Sequence, residues 1–210
     1  MTVSEIGLFP LELVLLPSER VPLHIFEERY KELIGECMAD EREFGLILEN
    51  EDGLREVGTR TGVVELIDTF DDGRMNVLVE GRARFRVVAL TEGRTFRTAE
   101  VEAMEDDGDR PTDAEVEHAV SVFRSLVAAA EAAEVDEPAA DSPVLSFELA
   151  ARVDFGHELK QELLELRSER ERVRRLTSLL ARAREAVRFA RTAEERAAGN
   201  GRVEPPERPG

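Results

Sequence analysis

The chain has 210 residues, 42% of them hydrophobic, and a formal charge of −18, which suits one large domain or two small ones with a core of ordinary size. The acid excess argues against a phosphate-backbone partner, whose binding is driven by counterion release to Lys and Arg, and no apolar run approaches the roughly 18 residues of a membrane span. The start lacks a basic segment followed by a continuous apolar one, so no signal peptide is expected, and the single cysteine, Cys37, cannot close an internal disulfide; together these fit a cytoplasmic address.

The stretch from Leu8 to Tyr30 organises the rest. It alternates apolar strand-like pieces with Pro10, Pro17 and Pro22, and proline belongs at edges, strand starts and bulges because it cannot donate to a ladder. Three short extended pieces bent around one another are expected, none of them a long central strand. A helix is predicted to start near Glu27, with Phe26, Tyr30, Leu33, Ile34, Cys37 and Met38 as its apolar stripe. The stripe should pack on a sheet that begins with Ile6–Phe9, leaving Cys37 a buried, inert thiol.

Phe44–Glu49 reads as a strand, with a polar turn at residues 50–53. Val57 to Phe70 is β-rich, with bends or bulges at Gly58 and Gly62, and residues 71–74 make a hairpin turn. Met75, Val77 and Val79 continue on the far side. After Gly81 the alternation predicts Ala83, Phe85 and Val87 inward and Arg82, Arg84 and Arg86 outward, facing acidic neighbours such as Glu100 and Glu102. A turn at residues 92–94 leads to a last strand over Thr95–Ala103. Short strands joined by glycine turns indicate a closed or nearly closed antiparallel sheet.

A charged boundary at residues 105–110 precedes a helix that opens at Thr112 with Glu115 at capping-box spacing. Its core face is Val116, Val120, Phe123, Val127 and Ala130. An alanine- and acid-rich loop follows, and Ser142-Pro143 has the look of a new helix start. A long helical pattern then runs from His157, with a possible break near Ser168. Its seam of Leu159, Leu163, Leu166, Val173, Leu176, Leu180, Ala183, Val187 and Ala190 could pack on the preceding helices or form a dimer face. Between His157 and Ala198 there are 11 basic and 8 acidic residues, so this segment is +3 and the remainder −21, which favours their docking. The chain divides into a β-rich module over 1–105, a helical bundle over 112–192 and a disordered tail over 193–210.

Several of these motifs resemble one family. LFPL at 8–11, the Leu16-Pro17 step and PLHIFE-x-RY at 22–30 resemble the opening of the substrate-binding (LON) domain found at the N-terminus of ATP-dependent Lon proteases. Phe44-Gly45-Leu46, Val57-Gly58-Thr59, the run from Asp72 to Gly81 followed by Arg84–Val87, and KQELLE at 160–165 are similar to later family segments. The resemblance covers about residues 6 to 185 and implies an α+β fold, a PUA-like antiparallel β-barrel followed by a C-terminal α-helical bundle. It also implies capture of unfolded or tagged polypeptides.

The residues themselves point away from catalysis. Neither lysine, Lys31 or Lys160, follows a glycine, so there is no Walker loop to cradle ATP phosphates, and no serine–lysine peptidase dyad is expected. His24, His118 and His157 are scattered, and one cysteine completes no thiolate site; neither metal nor cofactor is expected. His24 is either a polar anchor in a peptide groove or a satisfied histidine at the strand-to-helix corner. The arginines at 82, 84 and 86 leave an RNA-binding face as an alternative, weakened by one Tyr and no Trp for base stacking.

What remains is an apolar surface. Leu8–Phe26 holds more apolar side chains than one side of a bent segment can bury, so part of Leu13–Leu16 is expected to face away from the barrel core as a patch or groove. The reading is a non-enzymatic module that binds extended or unfolded polypeptides, or one specific protein, through Phe9, Leu15, Leu16, Leu23 and Phe26, without nucleic acid or membrane. On this reading Leu15→Asp abolishes binding without unfolding. The alternative is a structural or regulatory partner dimerising through its C-terminal helix.

Overall fold

The computed structural model describes residues 3–132 and 135–200, with side chains as far as 193. Strands β1 (Val3–Leu11), β3 (Phe44–Asn50), β5 (Val57–Thr69), β6 (Met75–Thr91) and β7 (Thr98–Ala103) close into a barrel in the order β1-β7-β6-β5-β3. Closure is made by a parallel pairing of β1 with β3, from Leu8 opposite Gly45 to Leu11 opposite Leu48; the other barrel pairings are antiparallel. Ile6, Leu8, Ile47, Phe85, Ala99 and Val101 fill the interior. Gly58 is small because the Phe85 ring lies where its Cβ would be, 2.6 Å from Cζ.

The expectation of three short pieces gives way to two strands and a loop. β1 is nine residues long and is flanked on both sides, its first half by β7 and its second by β3. Pro10 lies in the half paired to β3 alone. Pro17 sits in the connecting loop, and Pro22 lies on β2 (Arg20–Ile25), an edge strand paired only with β6.

The first half of β6 runs past the barrel, with β2 on one side and β5 on the other. Helix α1 (Glu28–Ala39) covers one face of this three-stranded layer with four of the six residues of the expected stripe; Phe26 precedes the helix and is exposed, and Met38 is exposed near its end. Tyr30, Leu33, Ile34 and Cys37 pack on Phe9, Leu15, Ile25, Phe44, Val77 and Val79. Two-residue β4 (Gly53–Leu54) extends β3 after the predicted turn.

Helix α2 (Asp113–Ala130) opens with the predicted capping box, Thr112 and Glu115 each accepting from the other's backbone N–H. The Thr112 N–H, Arg174 and Arg170 hold the Glu115 carboxyl down to about 2, so the cap also ties α2 to α5 (Glu169–Asn200). Ser142-Pro143 does not begin a helix. Ser142 accepts from the Val144 N–H in a turn, and α3 is only Leu145–Ala150. The long pattern breaks after α4 (Gly156–Glu165), where Ser168 caps the Glu171 N–H and opens α5. Backbone helix continues to Asn200, past the expected end at 192, and the rest of the expected tail lies outside the described residues. Val173, Leu176 and Leu180 of the seam are buried in a core shared with α2, α3 and α4, so this part of the seam packs on the bundle.

The run Leu13–Leu16 does face away from the barrel, but the helices cover it. Val14 and Leu16 belong to the helical core beside Phe123, Leu163 and Leu176, while Leu15 belongs to the core under α1. Its loop is fixed at Gly81: the Ser18 N–H donates to the Gly81 carbonyl (2.8 Å) and the Gly81 N–H to the Glu19 carbonyl (2.9 Å). A Cβ at Gly81 would run into the Leu16 carbonyl. The Glu19 carboxylate caps the Leu16 N–H and receives Lys160 from α4 (2.5 Å). The neighbouring Gln161 amide donates to the Val57 carbonyl, so the Lys-Gln pair fastens bundle to barrel.

Arg84 corrects the outward arginine row. It is buried, and donates to Asp106 and to the Leu164 and Leu166 carbonyls at 2.8 and 2.6 Å. Arg172, fully buried on α5, binds the same Asp106 together with Glu169, Ser146 and the Leu166 carbonyl. Both guanidinium groups lie over Phe147, Arg172 at 4.3 Å and Arg84 at 5.4 Å. Burial works against the Asp106 carboxylate, but hydrogen bonds and charge from Arg172, then Arg84, hold it below its ordinary range. Arg82, exposed, and Arg86, half-buried, pair with Glu43 (3.0 Å) and Glu56 (3.2 Å), not with the β7 acids.

Arg172→Ala should therefore lower stability by about 3–5 kcal/mol in urea unfolding, because it leaves the buried Glu169 without its cation and Asp106 with Arg84 alone. Arg172→Lys should recover only part, since one ammonium cannot reproduce the fork. Gly81→Ala should cost about 1–3 kcal/mol. Gly35→Ala, on a helix position where a Cβ meets nothing, should be neutral or stabilising by up to about 1 kcal/mol.

Candidate functional site

The projecting layer has two faces. Residues directly opposite one another across strands share a face, so Leu66, Val77 and Leu23 form one row beneath α1, whereas Asp68, Asn76 and His24 form a row on the outer face. Along the outer row His24 Nδ1 is 2.7 Å from Asn76 Oδ1, and the Asn76 amide nitrogen is 3.4 Å from Asp68. The Asn76 amide nitrogen faces Asp68, so its oxygen faces His24 and accepts from a proton on Nδ1.

Two phenylalanines flank this imidazole. Phe26, which follows β2, is 59% exposed and stacks at 6.0 Å from His24; Phe70, at the end of β5, meets it edge-on at 5.9 Å. The Arg74 guanidinium lies 5.2 Å from the Phe70 ring. The hairpin turn beneath is stiff: Asp72 accepts from the Arg74 backbone and side chain, which pulls its carboxyl below the ordinary range, and Lys31 of α1 donates to the Asp72 carbonyl.

Further apolar groups line the β5 side. Val64, Leu66 and Ile67 are each more than two-fifths exposed, and Met38 at the end of α1 joins them. The register of β5 against β6 slips three times, between Thr59 and Thr61 and, in the projecting part, between Val63 and Glu65 and between Leu66 and Asp68. Val64 and Ile67 are thus extra residues at bulges, which re-aim side chains. A cleft of about 480 Å³ separates this segment from Met38 of α1 and from Glu41 and Arg42 in the loop that follows it.

The structure divides the five residues expected to touch a ligand. Phe9, Leu15 and Leu16 are buried, Leu23 is half-buried, and Phe26 is exposed. Phe9 packs against Tyr30 with ring centres 4.2 Å apart, so it supports the layer from within. Phe70 and the β5 residues were missed by sequence reasoning. The signal for them lay in VVELIDTF at 63–70, whose adjacent apolar pairs Val63-Val64 and Leu66-Ile67 cannot all lie on one face of a regular strand.

Chemical groups are sparse here. No nucleophilic side chain is hydrogen-bonded to His24 among the described residues, and no group of three or more His, Cys, Asp or Glu could hold a metal ion there. Burial raises the Cys37 thiol to about 11, so it stays protonated at neutral pH. Among the described residues no helix is long and apolar enough to cross a membrane. The arrangement offers contact surface rather than reactive groups.

Three comparisons bear on this surface. The chain is 30% identical over 199 residues to the Lon protease of Anaeromyxobacter dehalogenans and 29% over 196 residues to Lon protease 2 of Myxococcus xanthus. Each match covers 84% of this chain but 23% of the relative, so the chain spans about a quarter of those proteins' length. The fold is shared with a Lon N-terminal domain protein from Xanthomonas campestris (TM-score 0.68, 24% identity, 83% of this chain and 98% of that one). It is shared too with the N-terminal domain of the Mycobacterium avium complex Lon protease (TM-score 0.67, 18% identity, 85% and 98%). The family described as the ATP-dependent protease La (LON) substrate-binding domain matches residues 5–182, and the chain belongs to that family.

Proposed function

We propose that the domain is a non-enzymatic, cytoplasmic module that holds extended or unfolded polypeptide segments, and that it does so on the projecting layer. The observation that carries this is the exposure of Phe26 and Phe70 on either side of His24, with Val64 and Ile67 also exposed farther along β5. Exposed apolar groups gathered in one place are a mark of an interaction surface. Aromatic side chains supply much contact area with few rotatable bonds. Membership of a family described as substrate-binding supports the same reading. Phe26, with Phe70, would touch the ligand, and Phe9, Leu15, Leu16 and the half-buried Leu23 would hold the frame beneath them. The −18 charge and the ion pairs of Arg82 and Arg86 speak against nucleic acid as the ligand.

The test is fluorescence anisotropy of a labelled, permanently unfolded polypeptide of low net charge at two salt concentrations. Saturable binding that salt does not weaken is expected, and no binding would overturn the proposal. Phe26→Ser with Phe70→Ser should weaken binding by about tenfold or more. Each change alone should shift stability by no more than about 0.5 kcal/mol, because both side chains are exposed. Leu15→Asp, by contrast, should unfold the protein in a urea titration: with Leu15 1% exposed, it buries a charge and cannot report on binding.

A further inference from the structure

The projecting layer ends on β5, and its outer edge is open. Pairing of β5 with β3 stops at Thr61, so Gly62–Thr69 bonds only to β6. No turn, loop or side-chain hydrogen bond among the described residues reaches the other side of that segment. Exposed strand edges of this kind are templates for another strand. The opposite edge of the layer, β2, carries Pro22 and so lacks a donor. The β5 edge has no proline and presents Val64, Leu66 and Ile67 beside the cleft under Met38.

Charge around this edge is unbalanced. The nearby cations are engaged: Arg42 with Asp40, Arg82 with Glu43, Arg74 with Asp72 and Lys31 with Glu28. Glu41, Glu65, Asp68 and Asp71 form no ion pair among the described residues. The edge therefore offers apolar contacts and backbone donors and acceptors within a field of uncompensated carboxylates. A second copy of the same edge would set Glu65 and Asp68 against their like.

We propose that Gly62–Thr69 of β5 accepts an extended peptide with alternating apolar and basic side chains as an additional strand. Backbone hydrogen bonds would supply sequence-independent affinity, the exposed Val64, Leu66 and Ile67 would meet the apolar side chains, and the free carboxylates would select Lys or Arg. This rests on the polypeptide-binding reading and names the conformation and chemistry of the preferred segment.

The experiment uses an eight-residue fluorescent peptide alternating Val and Lys, a Val and Glu counterpart, and a Val and Lys version with its central amides N-methylated. The Val and Lys peptide should bind at least about tenfold more tightly than either of the others, and less tightly at high salt. Glu65→Lys with Asp68→Lys, both at exposed positions, should reverse the charge preference while leaving the thermal midpoint close to that of the parent. Equal binding of methylated and unmethylated peptides would overturn strand addition, and an unchanged charge preference in the double variant would overturn the role of the edge. If unfolded polypeptide binds but none of the short peptides does, the edge proposal fails and the capture surface stands. If nothing binds, both fail.

Discussion

Two buried arginines and one shared carboxylate determine how the two halves of this molecule meet. Arg84 comes from the barrel, Arg172 from the last helix, and Asp106 from the segment that joins barrel to bundle. Removing such charges from water costs several kcal/mol each, and attraction offsets that only when every donor and acceptor is matched. Here the match includes the Leu164 and Leu166 carbonyls at the break between α4 and α5, so the geometry of the break is part of the ion site. A hydrophobic contact would tolerate sliding between bundle and barrel. A fork held by two carboxylates and a carbonyl does not.

From that fixed relation follows the fate of the opening stretch. The loop between β1 and β2 lies between barrel and bundle. There Lys160 reaches Glu19 and Gln161 reaches Val57, and Val14 and Leu16 fill space that the helices would otherwise leave empty. Closing this end leaves the other one free. β2, β5 and β6 extend past the barrel with a single helix behind them, and the exposed aromatic residues stand on that extension. The groups that hold the fold together are thus remote from the groups offered to a ligand, and a change at Phe26 or Phe70 need not disturb the arginine site.

Much of this was legible in the sequence because local rules and tertiary demands agree. The capping box at Thr112, the turns around Gly53, Gly73 and Gly93, and the stripe from Tyr30 to Cys37 each rest on short-range physics that packing then reinforces. Alternation put Arg84 on the outer side of its strand, which is correct; it could not say that a helical bundle covers that side. The same limit applied to Leu13–Leu16, where a surplus of apolar residues was evident but its cover came from more than a hundred residues away. Phe70 escaped notice because two bulges break the period of two on which strand reading depends.

Those bulges also bear on how an apolar edge avoids pairing with its own copies. A flat edge carrying valine, leucine and isoleucine would pair with its copies, as the edges that natural sheets avoid would do. In β5 each bulge is followed by an acid, Glu65 after Val64 and Asp68 after Ile67. The acid is set beside the apolar residue that the bulge turns outward. An identical edge arriving from another molecule would meet these charges in addition to the repulsion between two chains of −18. A chain with the opposite pattern would meet attraction instead, so the device that keeps copies apart is the same one that leaves the edge available to a different partner.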